Sequence, residues 1–347
     1  MNAPFANVSV GANRPNDLPG LLWGFGFDRE GRPEALDPEL AAAFTARPGG
    51  WIWLHFDLLD QRCQNWLAAA SHIGPAGKTV LLSSGDHQHI RVAADCLAGV
   101  LADTIHKLQG KAEEIGHWRF AMTGAIIVSA GRHALDSVEC VRQVIQSGTP
   151  LHCPANLVEA ILEEIATDCD RLVQELGSDL DRVEDRVLAD AVYDERRPLA
   201  HLRRRTVRLH RRIGNLLTMI HRLDHQAKDE PAASLHAAVG RVVQRLAELE
   251  HELREMQERG RLLQEEIAAK LATETNNYLQ AISVLTALFL PPTLIVGIFG
   301  MNTHGLPLTD DADGFAWIML LSAACSAGAY WLLKREPSLF KRSGLIR

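Results

Sequence analysis

From Val242 the chain sets down apolar residues at alternating steps of four and three: Val242, Leu246, Leu249, Leu253, Met256, Gly260, Leu263 and Ile267. Glu, Arg and Gln crowd the positions between them. A stripe of this period predicts one long helix with a coiled-coil-like contact face. No proline interrupts it before Pro291, so a rod from Leu235 to Leu290 is expected, an arrangement suited to oligomerisation. Charge then disappears. No Asp, Glu, Lys or Arg lies between Glu274 and Asp310, and Ala281 to Phe299 is nearly all apolar. A second charge-free run, Gly314 to Leu333, ends at Lys334. Each is close to the ~20 residues that cross a hydrocarbon core, which predicts a two-helix membrane hairpin.

Upstream, the period changes. "LLWGFGF", "GWIWLHFDL", "HIRVAADCLAGVLADT" and "RFAMTGAIIVSAG" are rich in β-branched and aromatic residues and read as strands, with helices at "QRCQNWLAAASHI" and "DSVECVRQVIQSG". From Asn156 an acidic helical pattern is followed, after "RRP", by a strongly basic one, "LAHLRRRTVRLHRRIGNLLTMIHRLDH". Opposite charge across a turn predicts an antiparallel pair. The fold class expected is α+β. The expected segments are a flexible tail (1–20), an α/β domain (21–155), the helix pair (156–234), a stalk helix (235–280) and a membrane domain (281–347).

Composition narrows the function. With 36 Lys and Arg against 43 Asp and Glu, the net charge is -7, which argues against a nucleic-acid partner. Six cysteines without CxxC spacing suit a reducing compartment. The first twenty residues lack the basic and apolar regions of a signal peptide. No GxGxxG, GxxxxGK[ST] or GxSxG occurs, so no catalytic constellation emerges and an enzyme is not expected. Lys334, Arg335, Lys341, Arg342 and Arg347 follow the second span, whereas the loop between spans carries Asp310, Asp311 and Asp313. By the positive-inside rule both termini are cytoplasmic, with the acidic loop outside. Trp317, Tyr330 and Trp331 suit anchoring at the two interfaces of a lipid bilayer.

Within the first span, Leu279, Ser283, Thr286, Leu290, Thr293 and Gly297 form one stripe that holds every hydroxyl of the span. Read as the continuation of the rod's contact face, it would line the axis of a ring of rods. The plainer alternative is that these hydroxyls bond across helices or back to carbonyls. The stripe carries no carboxylate, so a cation would pass with much of its water shell. Pro291 and Pro292 remove two amide donors, which is expected to kink the helix and turn freed carbonyls toward the path.

"FGMN" ends this apolar helix, and it follows a long heptad rod and precedes a second span with a short basic tail. In that context the chain resembles the CorA-type (GMN) metal-ion transporter family. The resemblance implies a homopentamer with a cytoplasmic funnel, divalent cations as cargo, no resident cofactor and a bacterial inner (plasma) membrane setting. It places Asn302 at the outer mouth against a hydrated cation, with Gly300 and Met301 shaping the turn. Thr293 and Gly297 then fall in the upper pore, Leu290 at its middle, and Leu279 with Asn276 near the cytoplasmic end. Magnesium-type members follow the tripeptide with an acidic residue; "THGLP" here is similar to the ZntB branch, associated with zinc and proton coupling. The expected ion is therefore Zn2+, with Mg2+, Co2+, Ni2+ and Cd2+ as further candidates. A Mg2+/Co2+ channel gated by metal in the cytoplasmic domain is the alternative, and a non-transporting membrane scaffold is the reading from another class.

Histidines add little. His304 lies just past the tripeptide, where it can meet metal or titrate near neutral pH, and the three aspartates concentrate cations nearby. His221 and His225 are spaced i, i+4 as metal ligands are, yet Arg211, Arg212 and Arg222 beside them disfavour a dication. His87 and His89 share a strand face and are read as an exposed pair.

Overall fold

The computed structural model describes residues 18–34, 36, 46–70, 73–85, 87–93, 96–106, 114–189, 192–224, 235–236, 239–301 and 313–335. His225, Asn302, His304, Asp310, Asp311 and nearly all of the expected tail lie outside the described residues. The chain divides into two compact units, 1–183 with 198–260 and 184–197 with 261–347.

The first unit holds a seven-stranded sheet: β1 (Leu21–Phe27), β2 (Pro33–Glu34), β3 (Trp51–Asp57), β4 (His89–Val92), β5 (Leu97–Thr104), β6 (Ile115–Met122) and β7 (Ile126–Gly131). Their order is β2-β1-β3-β7-β6-β5-β4, and only the β3–β7 pairing is parallel. Helices α1 (Gln61–Ala69) and α2 (Pro75–Leu81) carry the chain from β3 to the far edge, and α3 (Asp136–Gln146) follows β7. The run of β3, apolar from Trp51 to Phe56 except for His55, reflects burial on both faces. Ile52, Leu54 and Phe56 enter one cluster with Cys63, Leu67, Val80 and Leu81, while Trp51, Trp53 and His55 point the other way.

Two expected strands are corrected. "HIRVAADCLAGVLADT" folds as the β4–β5 hairpin and "RFAMTGAIIVSAG" as the end of β6 and β7. In the second case Thr123 closes the turn: its N–H donates to Ile126 O (2.8 Å), and its Oγ1 accepts from Ile126 N (3.2 Å). An Asx/Ser/Thr-type local bond of this kind reverses a chain that hydrophobicity alone leaves straight. Helix α2 was not expected; Pro75 at its first turn supplies the helical φ without wasting a donor.

On the second face Ser129 is a small polar hub. Its Oγ accepts from Trp53 Nε1 at 2.7 Å and lies 2.8 Å from His55 Nδ1 and 3.4 Å from Leu54 O. Burial lowers the His55 pKa to about 3, so the ring is neutral and serves packing, stacked on Trp23 at 4.4 Å. Ser129→Ala leaves the buried indole N–H without an acceptor and is expected to cost about 1–3 kcal/mol. A fall of the melting temperature at unchanged secondary structure checks this; an unchanged melting temperature refutes it.

Parts of three long helices complete this unit: α4 (Pro154–Leu188) as far as Val183, α5 (Val192–Asp224) from Pro198, and α6 (Gly240–Phe299) as far as Gly260. Arg205 pairs with Glu175 (3.7 Å) and Asp179 (3.4 Å), and Arg212 with Asp168 (3.6 Å). Rising numbers on α5 meet falling numbers on α4, so the acidic and basic helices are antiparallel. Helix α6 runs parallel to α4 and shares its acidic face, through Arg241–Glu159 (3.1 Å), Arg245–Asp170 (2.8 Å) and Arg259–Asp181 (2.7 Å). Exposed pairs of this kind each contribute little, roughly 0–1 kcal/mol, and serve mainly to set register.

The heptad stripe has a different use from the one its period suggests. Val242, Leu246, Leu249, Leu253 and Met256 are all buried within the chain itself. A Cβ on Gly177 of α4 would sit 3.3 Å from Met256 Cε. The stripe therefore faces the chain's own helices rather than another copy. The helix takes this role because α4 and α5 offer apolar faces of matching period.

In the second unit, Leu263 and Ile267 are likewise buried. Arg186 pairs with the fully buried Glu195 at 3.0 Å, and Lys270 Nζ donates to Val187 O at 2.7 Å. Helix α6 continues without a break through Pro291 and Pro292, and α7 (Gly314–Arg335) follows. Both helices are long and apolar enough to cross a membrane. Phe289, Leu294, Val296, Phe315, Leu320 and Trp331 are each more than half exposed, a surface that water does not tolerate in such quantity.

Candidate functional site

The membrane portion of α6 has two sides. Val284, Ala287, Leu288, Pro291, Pro292, Ile295 and Phe299 are partly covered, and they recur at helical spacing on one side. Ser326 of α7 lies against it, its Oγ 3.5 Å from Leu288 O. That carbonyl is one that a proline frees, since residue 292 has no N–H to return to residue 288. The expectation that the freed carbonyls face a path is thus corrected at Leu288: this one is taken up by the second span.

The hydroxyl-bearing positions lie on the other side. Asn276, Ser283, Thr286, Thr293 and Gly297 are exposed, as are Leu279 and Leu290 at 59% and 60%. Ser283 Oγ donates to Leu279 O (2.9 Å), Thr286 Oγ1 to Ile282 O (2.8 Å) and Thr293 Oγ1 to Phe289 O (2.7 Å). Each hydroxyl proton is thereby used along the helix, and each oxygen keeps lone pairs that can only accept. A face built this way presents negative dipole ends without formal charge. Its small residue, Gly297, has no atom within 4 Å of the place a Cβ would take.

This stripe is not the continuation of the rod's contact face. Successive sevens from Ile267 arrive at Leu288 and Ile295, on the side of the second span. The packed face of α6 passes from its own helix bundle to α7, and the hydroxyls are left on the reverse.

The helix ends at Phe299. Gly300 N donates to Val296 O at 2.8 Å and Met301 N to Ile298 O at 3.4 Å. A Cβ on Gly300 would meet Val296 O at 3.0 Å, which explains a glycine where the helix tightens and stops. Met301 is 54% exposed. Asn302, His304, Asp310 and Asp311 follow outside the described residues; Asp313 opens α7, its carbonyl accepting from Trp317 N at 3.2 Å. His221 is exposed on α5, and its expected partner His225 is not described. Among the described residues no group of three or more His, Cys, Asp or Glu is placed to hold a metal ion within one chain.

Comparison with known proteins agrees with this layout. The zinc transport protein ZntB of Yersinia enterocolitica is 22% identical over 336 residues, 96% of this chain and 100% of that protein. The divalent cation transporter CmaX of Pseudomonas aeruginosa is 22% identical over 330 residues, 93% of this chain and 98% of that protein. The complete structure of the CorA magnesium transporter from Methanocaldococcus jannaschii shares the fold, with a TM-score of 0.73 at 15% identity over 90% of this chain and 98% of that one. The family model described as CorA-like Mg2+ transporter protein matches residues 48–335, and to that family this chain belongs.

Proposed function

We propose that the chain transports divalent metal cations, Zn2+ foremost, through a pore lined by the exposed hydroxylated face of α6 in a homopentamer. The observation that carries this reading is the pairing of that face with its terminus: three acceptor hydroxyls, two leucines and a glycine lead directly to Gly300-Met301-Asn302. Oxygen lone pairs without formal charge suit a cation that keeps much of its hydration shell, because the shell's water protons donate to them. A carboxylate ring would instead bind a dication tightly and slow its exit. Asn302 and His304 would receive the ion at the outer mouth, where Asp310, Asp311 and Asp313 raise its local concentration. Both termini, with the basic tail, would lie on the cytoplasmic side of a bacterial inner membrane, and uptake would be coupled to protons.

Zinc is favoured by the "THGLP" loop, which lacks an acidic residue, and by the ZntB relative. The family's description and the CorA structure favour magnesium or cobalt, which makes a CorA-type Mg2+/Co2+ channel the second reading. Purified protein in liposomes, with zinc and magnesium flux followed with and without a proton gradient, separates the two. Wild type is expected to carry zinc, faster with an inward proton gradient, and Asn302→Ala to lower that flux roughly tenfold, the loss of about one hydrogen bond to the hydrated ion. Magnesium flux above zinc flux and indifferent to the gradient would transfer the chain to the second reading. Equal, background-level flux in wild type and Asn302→Ala would end the transport proposal.

A further inference from the structure

The first unit contains a cavity of about 590 Å³ between the outer edge of the sheet and helix α5. One wall is formed by Arg208, Arg211, Arg212 and Arg222. At 100° per residue, these four lie within one face of the helix, joined by Asn215 and Thr218. The opposite wall brings His87, two residues before β4, and His89, at the start of β4, together with His117 of β6. Ile90, Ile115 and Met219 make an apolar margin. No carboxylate is among the described residues that line the cavity.

Two features mark it as more than a basic surface. Arg208, Arg211 and Arg222 form no ion pair among the described residues, although their helix faces an acidic neighbour that engages Arg205 and Arg212. Arg212 is 7% exposed, and its Nε is buried with no hydrogen-bond acceptor, although its other nitrogens reach Thr104, Asp168 and Ala102. A buried guanidinium with a donor unused, beside three exposed ones, is a strong field for an anion. Guanidinium forks match phosphate oxygens two at a time. The volume falls within the range of small-molecule sites, about 300–1,000 Å³.

We propose that this cavity binds the phosphate chain of a metal-free polyphosphate compound, either a nucleoside triphosphate or inorganic pyrophosphate. Four guanidiniums and three imidazoles offer donors to several phosphates in a row, more than a lone carboxylate or sulfate can use. The metal-free form is favoured because no carboxylate is among the described lining residues, and no group of three or more described His, Cys, Asp or Glu side chains is placed to hold a chelated dication beside the arginines. A bound Mg2+ or Zn2+ also cancels two of the negative charges on which the site depends. Occupancy would then fall as free divalent cation rises, which gives a cation-transporting family a way to sense its cargo indirectly. The site stands whichever ion the chain carries.

Calorimetric titration of the full-length protein in detergent and EDTA, with ATP, pyrophosphate and adenosine as probes, tests this. Binding of ATP and pyrophosphate without adenosine is expected, and Mg2+ in excess over ATP should weaken it several-fold. ATP tighter than pyrophosphate points to a nucleotide, whereas equal affinities point to the phosphate chain alone. The exposed double variant Arg208→Gln/Arg211→Gln should keep its melting temperature and lose affinity by roughly tenfold per arginine. Three outcomes would overturn the proposal: no binding of either phosphate probe, unchanged affinity in the double variant, or tighter binding of the Mg2+ complex.

Discussion

Gly297→Leu is expected to reduce zinc flux in liposomes to background while the protein remains folded. Within one chain position 297 is exposed, and a Cβ there meets no atom within 4 Å beyond its own helix backbone, so the side chain extends into open space. Helix propensity even favours it, by up to about 1 kcal/mol for replacing a helical glycine with a good helix former. Any cost must therefore arise outside the single chain. If α6 lines a five-fold axis, five isobutyl groups converge one turn below Gly300-Met301-Asn302, and a hydrated dication would have to shed water to pass them. Desolvating an ion without replacement ligands costs many kcal/mol, far more than transport tolerates. Thermal unfolding and zinc-dye influx on the same preparation check the result. Wild-type flux in Gly297→Leu would place the permeation path on another face. It would leave the fold assignment untouched.

The second large effect concerns stability. Arg212 lies between the sheet and α4, 3.3 Å from Thr104 Oγ1 and 3.6 Å from the Asp168 carboxylate. Behind Thr104 is Asp103, fully buried, which accepts from Thr104 N (2.8 Å), Ser137 N (3.0 Å) and Ser137 Oγ (2.8 Å). Burial pushes the Asp103 carboxyl up to about 6, against the opposing pull of the Ser137 hydrogen bonds and the Arg212 charge. Arg212→Met is of similar size but removes the positive charge that opposes the effect of burial on Asp103. A buried charge that loses its partner costs about 3–5 kcal/mol, and that is the destabilisation expected at pH 7.5.

The pH dependence has a definite sign. Because the folded pKa of Asp103 lies above the ordinary 3.8, the native state holds this proton more tightly than the unfolded chain does. Its contribution to stability is full below about pH 4 and is lost as pH rises through about 6. Without Arg212 the carboxyl is raised further and is already neutral at pH 5. The loss of melting temperature in Arg212→Met is therefore expected to be smaller at pH 5 than at pH 7.5. An equal or larger loss at pH 5 would show that Arg212 acts through packing alone.

Periodicity made much of this molecule legible. The heptad from Val242 to Ile267 is one helix, and the charge-free runs are two helices with exposed apolar surfaces. Opposite charge made contact between α4 and α5 legible, and the short connection from Leu188 to Val192 makes that contact antiparallel, because the chain must turn back on itself. Hydroxyl placement in the first span was also visible, being a matter of counting along one helix. What covers each face was not visible. The heptad stripe reads the same whether its partner is another subunit or the chain's own α4 and α5, since both present apolar side chains at helical spacing. The freed carbonyl of Leu288 finds Ser326, 38 residues away, and no local signal joins the two. The basic cavity eluded the sequence for the same reason: His87, His89 and His117 look like scattered surface histidines until the sheet edge carries them to Arg208 and Arg211.

By itself, then, the amino-acid order determined the long helix that carries the heptad, the two apolar runs, the hydroxylated stripe and its stop at Gly300-Met301-Asn302. Those follow from local forces: apolar period, the absence of charge over a bilayer's width, and the conformational demands of Pro and Gly. Tertiary structure alone decided that the heptad face is spent inside the chain, that the second span takes a proline-freed carbonyl, and that the hydroxyl face stays open. It also gathered four arginines around an uncommitted cavity. These outcomes depend on which surfaces compete successfully for burial, and that competition is settled between segments far apart in the chain.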